Sequence, residues 1–214
     1  MIAARSKLET LTQSVVLYNQ SWAFYQRMLA ELGDTSSPRL TFNQGTLEIK
    51  VASFQHEQIN RQLAELFTTI ADEFGMDFVH SGSTTFDRED LQRGFQPDSS
   101  FYIQNADRIR GKLRINLSVD PPPDLVLEID ITHPSLNKLP IFAALGIPEV
   151  WRFSDDVLTI LKLDGNEYHE QVESNALPGV TCERLTQLLN HSLEMKRADW
   201  LTAVRELAQT IKSQ

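Results

Sequence analysis

From Ser21 to Leu32 the apolar residues Trp22, Tyr25, Leu29 and Leu32 recur at helical spacing and Gly33 offers a C-terminal cap, so the spacing predicts a helix that docks one face. After the turn-rich GDTSSPR, an apolar run around Leu40 and Phe42 and the alternating Leu47, Ile49 and Val51 flank Asn43-Gln44-Gly45, the pattern of a β-hairpin. Ser53 then stands where an N-cap is needed. Ile59, Leu63, Leu66, Phe67, Ile70 and Phe74 form one stripe behind it, and Gly75 closes the helix.

Two short strands are predicted around Asp77 to His80 and Ser83 to Phe86, and another from near Asp98 through Phe101 and Ile103, with DREDLQRG as loop between them. DRIRGKLR has no assignable period. The prolines of SVDPPPD stop any strand ladder before DLVLEIDIT, a branched run bounded by THPS that reads as strand. Pro140 suits only the first turn of a helix running from about Ser135 to Leu145, so that helix starts within a few residues of Asn137; Gly146 ends it. PEVWRF and LTILKL read as strands joined at SDD, with a third around Tyr168 to Val172. From Cys182 onward come a short helix and a longer amphipathic one carrying Trp200, Leu201, Val204, Leu207 and Ile211. This order implies a mixed α/β (α+β) sheet domain with a central helix packed on it. No repeat or long linker divides the chain; residues 1–37 read as an N-terminal helical arm and 38–214 as the main domain.

Composition narrows the function classes. With 214 residues, 41% apolar and 23% charged, the chain can bury a real core, and disordered or collagen-like classes are excluded. No run approaches a membrane span, and MIAARSKLETLTQ breaks into polar residues before a signal-peptide core can form, so a cytoplasmic protein without a membrane partner is expected. A single cysteine, Cys182, excludes an internal disulfide and a multi-thiolate metal site. The net charge of −9 repels a phosphate backbone, so a nucleic-acid reader needs a local exception.

Alternation along PDLVLEIDIT puts Leu125, Leu127, Ile129 and Ile131 on a core face and Asp124, Glu128 and Asp130 on the other. Glu128 and Asp130 are about 7 Å apart at Cα by strand rise, close enough to share one cation. An antiparallel strand with a solvated outer face would give the same pattern. Asp98, directly after Pro97 at a strand start, and Lys138, at the head of the helix leaving the carboxylate strand, complete an acid, acid, lysine set suited to metal-assisted phosphodiester hydrolysis.

Pro97-Asp98, PDLVLEIDIT at 123–132 and NKLPIFAALGIPEVWRF at 137–153 together resemble the Uma-two-type family of restriction-endonuclease-like proteins, formerly a domain of unknown function, placed in the PD-(D/E)XK nuclease superfamily. The resemblance runs from the hairpin near residue 40 to about residue 165. It implies a mixed sheet flanked by helices and a Mg²⁺-dependent (or Mn²⁺-dependent) endonuclease acting on DNA, with a homodimer left open. Asp98 matches the metal-binding aspartate and Glu128 the acid of the second motif, with the carbonyl of Ile129 as a third ligand. The superfamily pattern calls for lysine two residues after that acid. Asp130 stands there instead, and the family's basic residue on the following helix is matched by Lys138; Asp130 is then a further ligand or orients Lys138. Glu48 and His56 match a family glutamate and histidine, and Glu57 or Glu48 could supply an acid near the metal; an exposed hairpin glutamate and a helix-terminal hydrogen-bonding histidine are equal alternatives. Arg108, Arg110, Lys112 and Arg114 alternate between the two acid motifs and, on a strand edge, would form a cationic row for phosphates. A catalytically degenerate nuclease fold serving as an interaction or assembly module is the alternative function, supported by the acidic surface and by Asp130.

Overall fold

The computed structural model describes residues 13–33, 35, 37–131 and 136–213. Two sheets face each other across the functional region. The first has the order β1-β3-β2-β6-β5, built from β1 (Gln13–Leu17), β2 (Arg39–Asn43), β3 (Thr46–Val51), β5 (Phe86–Arg88) and β6 (Arg93–Phe95). The second has the order β11-β10-β9-β8-β7-β4, from β4 (Val79–His80), β7 (Ser99–Tyr102), β8 (Leu125–Ile129), β9 (Glu149–Ser154), β10 (Val157–Asp164) and β11 (Glu167–Gln171). Among the described residues only β8 and β9 run parallel. A parallel pair needs a crossover, and α4 (Leu139–Leu145) lies in it.

The hairpin β2–β3 sorts its side chains by alternation. Leu40, Phe42 and Leu47 are fully buried beneath α1 (Trp22–Leu32), where Tyr25 stacks on Phe42 at 5.2 Å. Arg39, Thr41, Glu48 and Lys50 therefore point the other way, and all four are buried. Polar groups on the buried face of a hairpin need partners from outside it. Ser53 caps α2 (Phe54–Phe74) by accepting from the His56 amide, as the sequence implies. The apolar stripe of α2 packs on Leu125, Leu127, Ile129, Trp151 and Phe153 of β8 and β9, and α5 (Cys182–Ser192) and α6 (Arg197–Lys212) complete that layer. On the opposite face of the sheet Val126 and Val150 meet Ile141 and Phe142 of α4.

Several elements differ from the sequence pattern. DREDLQRG is not loop: it carries the end of β5, a 3₁₀ turn at Glu89–Leu91 and the start of β6, which pairs with β2 through Phe42 and Gly94. These strands are three residues long and too polar to show a period-2 signal. β1 was likewise unmarked, yet it pairs along its length with β3, Leu17 opposite Leu47. DRIRGKLR opens with the one-turn α3 (Ala106–Ile109) rather than a strand edge. The predicted helix start at Ser135, and His133 with its neighbours, lie outside the described residues; from Leu139 the helix runs to Leu145 with Gly146 left-handed at its end.

A Cβ placed on Gly94 would lie 2.5 Å from the Tyr25 hydroxyl and 2.8 Å from the Asp87 Cβ, both closer than packed atoms tolerate. Gly94→Ala should therefore cost about 1–3 kcal/mol of stability, measured by urea unfolding. An unchanged midpoint would mean that α1 does not seat on β6 as described.

Candidate active site

The register of β7 on β8 pairs Ser99 with Leu127, and one further step sets Asp98 opposite Glu128. Side chains directly opposite in an antiparallel pair share a face. Asp98 and Glu128 are each 3% exposed, so the solvated-face alternative for this strand does not hold.

Each acid has one oxygen held and one oxygen without a hydrogen bond. Asp98 Oδ2 accepts from the Ile129 amide at 2.8 Å and lies 3.1 Å from His56 Nε2. Its Oδ1 lies 3.0 Å from Arg39 Nη1, an ion pair in which the N–H is not aligned on the oxygen. Glu128 Oε2 accepts from Lys138 Nζ at 2.6 Å, while Oε1 is buried with no hydrogen-bond partner. Around them Lys50 Nζ donates to the Ile129 carbonyl at 3.3 Å and sits 3.9 Å from Asp130 Oδ1. Arg39 Nη2 reaches Glu57 at 2.8 Å. Asn60, one turn beyond His56, donates to the Asp98 carbonyl and accepts from Ser99, fixing the strand start against α2.

The electrostatics follow. Burial opposes ionisation of Asp98, but the close approach of His56, together with Lys50 and Arg39, outweighs it and holds the carboxyl below its ordinary range. Opposite charges about 4 Å apart are worth up to about 4 kcal/mol each at an effective dielectric near 20, enough in combination to offset the loss of hydration. Glu128 goes the other way: burial pushes it up, Lys138 counters this, and the neighbouring Asp98 charge adds to the rise. Burial disfavours the Lys138 ammonium, yet Glu128, Asp98 and Glu48 raise it further above the usual lysine range.

The structure thus brings together Asp98, Glu128, Ile129, Asp130 and Lys138. Glu48 and His56 join them, 3% and 0% exposed, so neither the exposed-glutamate nor the simple helix-end alternative describes them. Glu57 reaches the site only through Arg39, its side chain 39% exposed. The basic stretch does not join. It follows β7 near Asp124, which binds the amides of Ile103 and Asn105 at the start of β8, about 13 Å of strand from Ile129. Arg110 there pairs with Asp77 and Lys112 with Asp120.

Arg39 and Lys50 are the buried cations of the candidate site that the sequence reading did not single out. Their signal was present: alternation from Glu48 places Lys50 on the same face, and the hairpin register puts Arg39 opposite Lys50. Arg152, beside Glu128 in the parallel register, was not singled out either; its Nε is buried without a hydrogen bond.

The family model for Uma2, described as "Putative restriction endonuclease", matches residues 22–196. The chain belongs to the Uma2 family. Among solved structures this Uma2 protein is similar to a chain from Anabaena variabilis titled a "putative nuclease belonging to DUF820", with TM-score 0.52 and 14% identity over 75% of this chain and 96% of that one. At that identity the likeness establishes the fold, the mixed α/β restriction-endonuclease-like architecture anticipated above. No curated protein matches the chain. No helix among the described residues is long and apolar enough to cross a membrane.

Asp98→Ala should destabilise the protein by about 3 kcal/mol near neutral pH, because it leaves buried cationic partners uncompensated. Since the folded carboxyl titrates below the unfolded one, the stability it contributes is present above the ordinary carboxylate range. It is lost as pH falls through the folded value, so the gap between wild type and variant should narrow below about pH 4. Urea titrations of both proteins across pH measure it; a gap that widens in acid would contradict the arrangement.

Proposed function

We propose that this Uma2 protein is a Mg²⁺-dependent endonuclease that hydrolyses phosphodiester bonds in DNA, with Asp98, Glu128 and the Ile129 carbonyl as metal ligands and Lys138 as the basic partner. The observation that carries the reading is the facing pair Asp98 and Glu128, each with a buried oxygen lacking a hydrogen bond, next to Ile129, whose amide binds Asp98.

Among the described residues no three His, Cys, Asp or Glu side chains group as a metal cage. Two carboxylates and a carbonyl nevertheless suit Mg²⁺, which keeps several waters and takes only one or two protein carboxylates. Charge favours the same ion: Glu48, Glu57, Asp98, Glu128 and Asp130 face Arg39, Lys50, Lys138 and Arg152, leaving a surplus of one negative charge with His56 counted neutral. A bound divalent ion supplies Lewis-acid polarisation of the phosphate and a lowered pKa for an attacking water. The chain's own groups do the rest. Ile129 N–H and His56 fix the Asp98 carboxylate, Lys138 orients Glu128 and offsets developing negative charge, and α2 with the hairpin excludes bulk solvent. The Arg152 Nε is buried without a hydrogen bond beside Glu128, which leaves its guanidinium to a phosphate. Arg108, Arg110, Lys112 and Arg114 are not part of this path, since they lie at the far end of β8; a role for them is confined to flanking DNA. The single half-buried cysteine accords with a cytoplasmic setting.

One observation favours a second reading, a nuclease fold retained as an interaction module. Every proposed ligand already faces a protein cation: Asp98 has Arg39, Glu128 has Lys138 and the Ile129 carbonyl has Lys50.

DNA cleavage separates the two. With plasmid and single-stranded DNA and either Mg²⁺ or Mn²⁺, wild type should cut, and Glu128→Gln, shown by circular dichroism to be folded at the assay temperature, should be slower by at least about 100-fold. DNA left intact by wild type with both ions would contradict the endonuclease and favour the module.

A further inference from the structure

The strand that carries Glu48 also carries Lys50, and the ammonium of Lys50 ends on the group expected to face a metal. Its Nζ donates to the Ile129 carbonyl at 3.3 Å and lies 3.9 Å from Asp130 Oδ1. The residue is 9% exposed. Its charge also favours the ionised forms of Asp98 and Glu128 from a distance, while its direct contacts are with the carbonyl and Asp130. The other cations of the site stay to the side: Arg39 divides itself between Asp98 and Glu57, and Lys138 is committed to a single oxygen of Glu128. Nothing about the hairpin requires a lysine here. The residue across the register is Arg39, and two like charges directly opposite one another are unfavourable in a strand pair unless acids lie between them.

We infer that Lys50 is a tethered internal cation that holds the Ile129 carbonyl, one of the proposed metal ligands, so that a divalent ion binds there only in competition with it. This rests on the metal-site reading above and adds a property to it. The lysine compensates part of the repulsion between the carboxylates. Metal loading then requires the flexible four-carbon side chain to withdraw, while the ligands themselves stay in place. A low apparent affinity follows, and removal of the ammonium should expose the intrinsic affinity of the oxygen cage.

The test is calorimetric titration of Mn²⁺ into wild type, Lys50→Met and the double variant Lys50→Met with Glu128→Gln, with melting temperatures recorded with and without Mn²⁺. Lys50→Met should bind Mn²⁺ at least tenfold more tightly than wild type. It should melt below wild type without the ion and gain more on adding it, and Glu128→Gln should abolish the gain, placing the ion at this site. Lys50→Gln, polar but uncharged, should repeat the result and serves if the methionine variant does not fold. Equal, measurable affinities in wild type and Lys50→Met would overturn the competition while leaving the metal site standing. Weaker binding in Lys50→Met would overturn it as well, by making the lysine a support for the ion. Absence of binding in all variants would overturn both the competition and the metal reading.

Discussion

The buried carboxylate of Asp98 is the constraint on which the rest of the site depends. An ionised group at 3% exposure is costly unless it is both hydrogen-bonded and paired, and this one is satisfied by three separate parts of the fold. The β2 strand contributes Arg39, α2 contributes His56, and β8 contributes the Ile129 amide. The first sheet, the central helix and the second sheet are thereby required to meet at one point. Asn60 strengthens the junction by binding the Asp98 carbonyl and the Ser99 hydroxyl, so both the backbone and the side chain of the strand start are held.

From that junction the polarity of the whole region follows. Burying the apolar face of the hairpin beneath α1 forces Arg39, Glu48 and Lys50 toward the strand pair carrying Asp98 and Glu128. Several acids and bases are then confined in one poorly solvated pocket, where each ion pair counts for more than it would at the surface. Glu128 is the member least well compensated, raised by burial and by Asp98 while Lys138 holds it from the other side. A pocket with surplus negative charge and buried oxygens lacking hydrogen bonds is suited to a cation. In the same pocket an ammonium already sits on the Ile129 carbonyl. The nuclease and the inert module differ in which cation prevails.

Long periodic elements were legible in the sequence because their apolar faces carry the core: the α2 stripe, the hairpin, DLVLEIDIT and the strands around Trp151 all formed as the spacing implied. The pairing of Asp98 with Glu128 and the approach of Lys138 were legible through motif and alternation. What escaped was set by tertiary contact. β1, β5 and β6 are short and gain their order from pairing with neighbours rather than from a period of their own. Arg39 and Lys50 were hidden for a related reason, since a charged residue in a hairpin ordinarily faces water and only the packing of α1 on the opposite face turns these inward. The basic stretch misled in the reverse direction. Its arginines and Lys112 alternate as if on a strand, but Asp77 and Asp120 hold two of them at the far end of the sheet.

The most direct test of the account is where a divalent ion sits. Crystals of the protein soaked in Mn²⁺ and measured at the manganese absorption edge should show an anomalous peak bounded by the Asp98 and Glu128 carboxylates and the Ile129 carbonyl, with the Lys50 ammonium displaced from that carbonyl. A saturating soak that leaves this point without a peak, with Lys50 still donating to Ile129, would contradict the account.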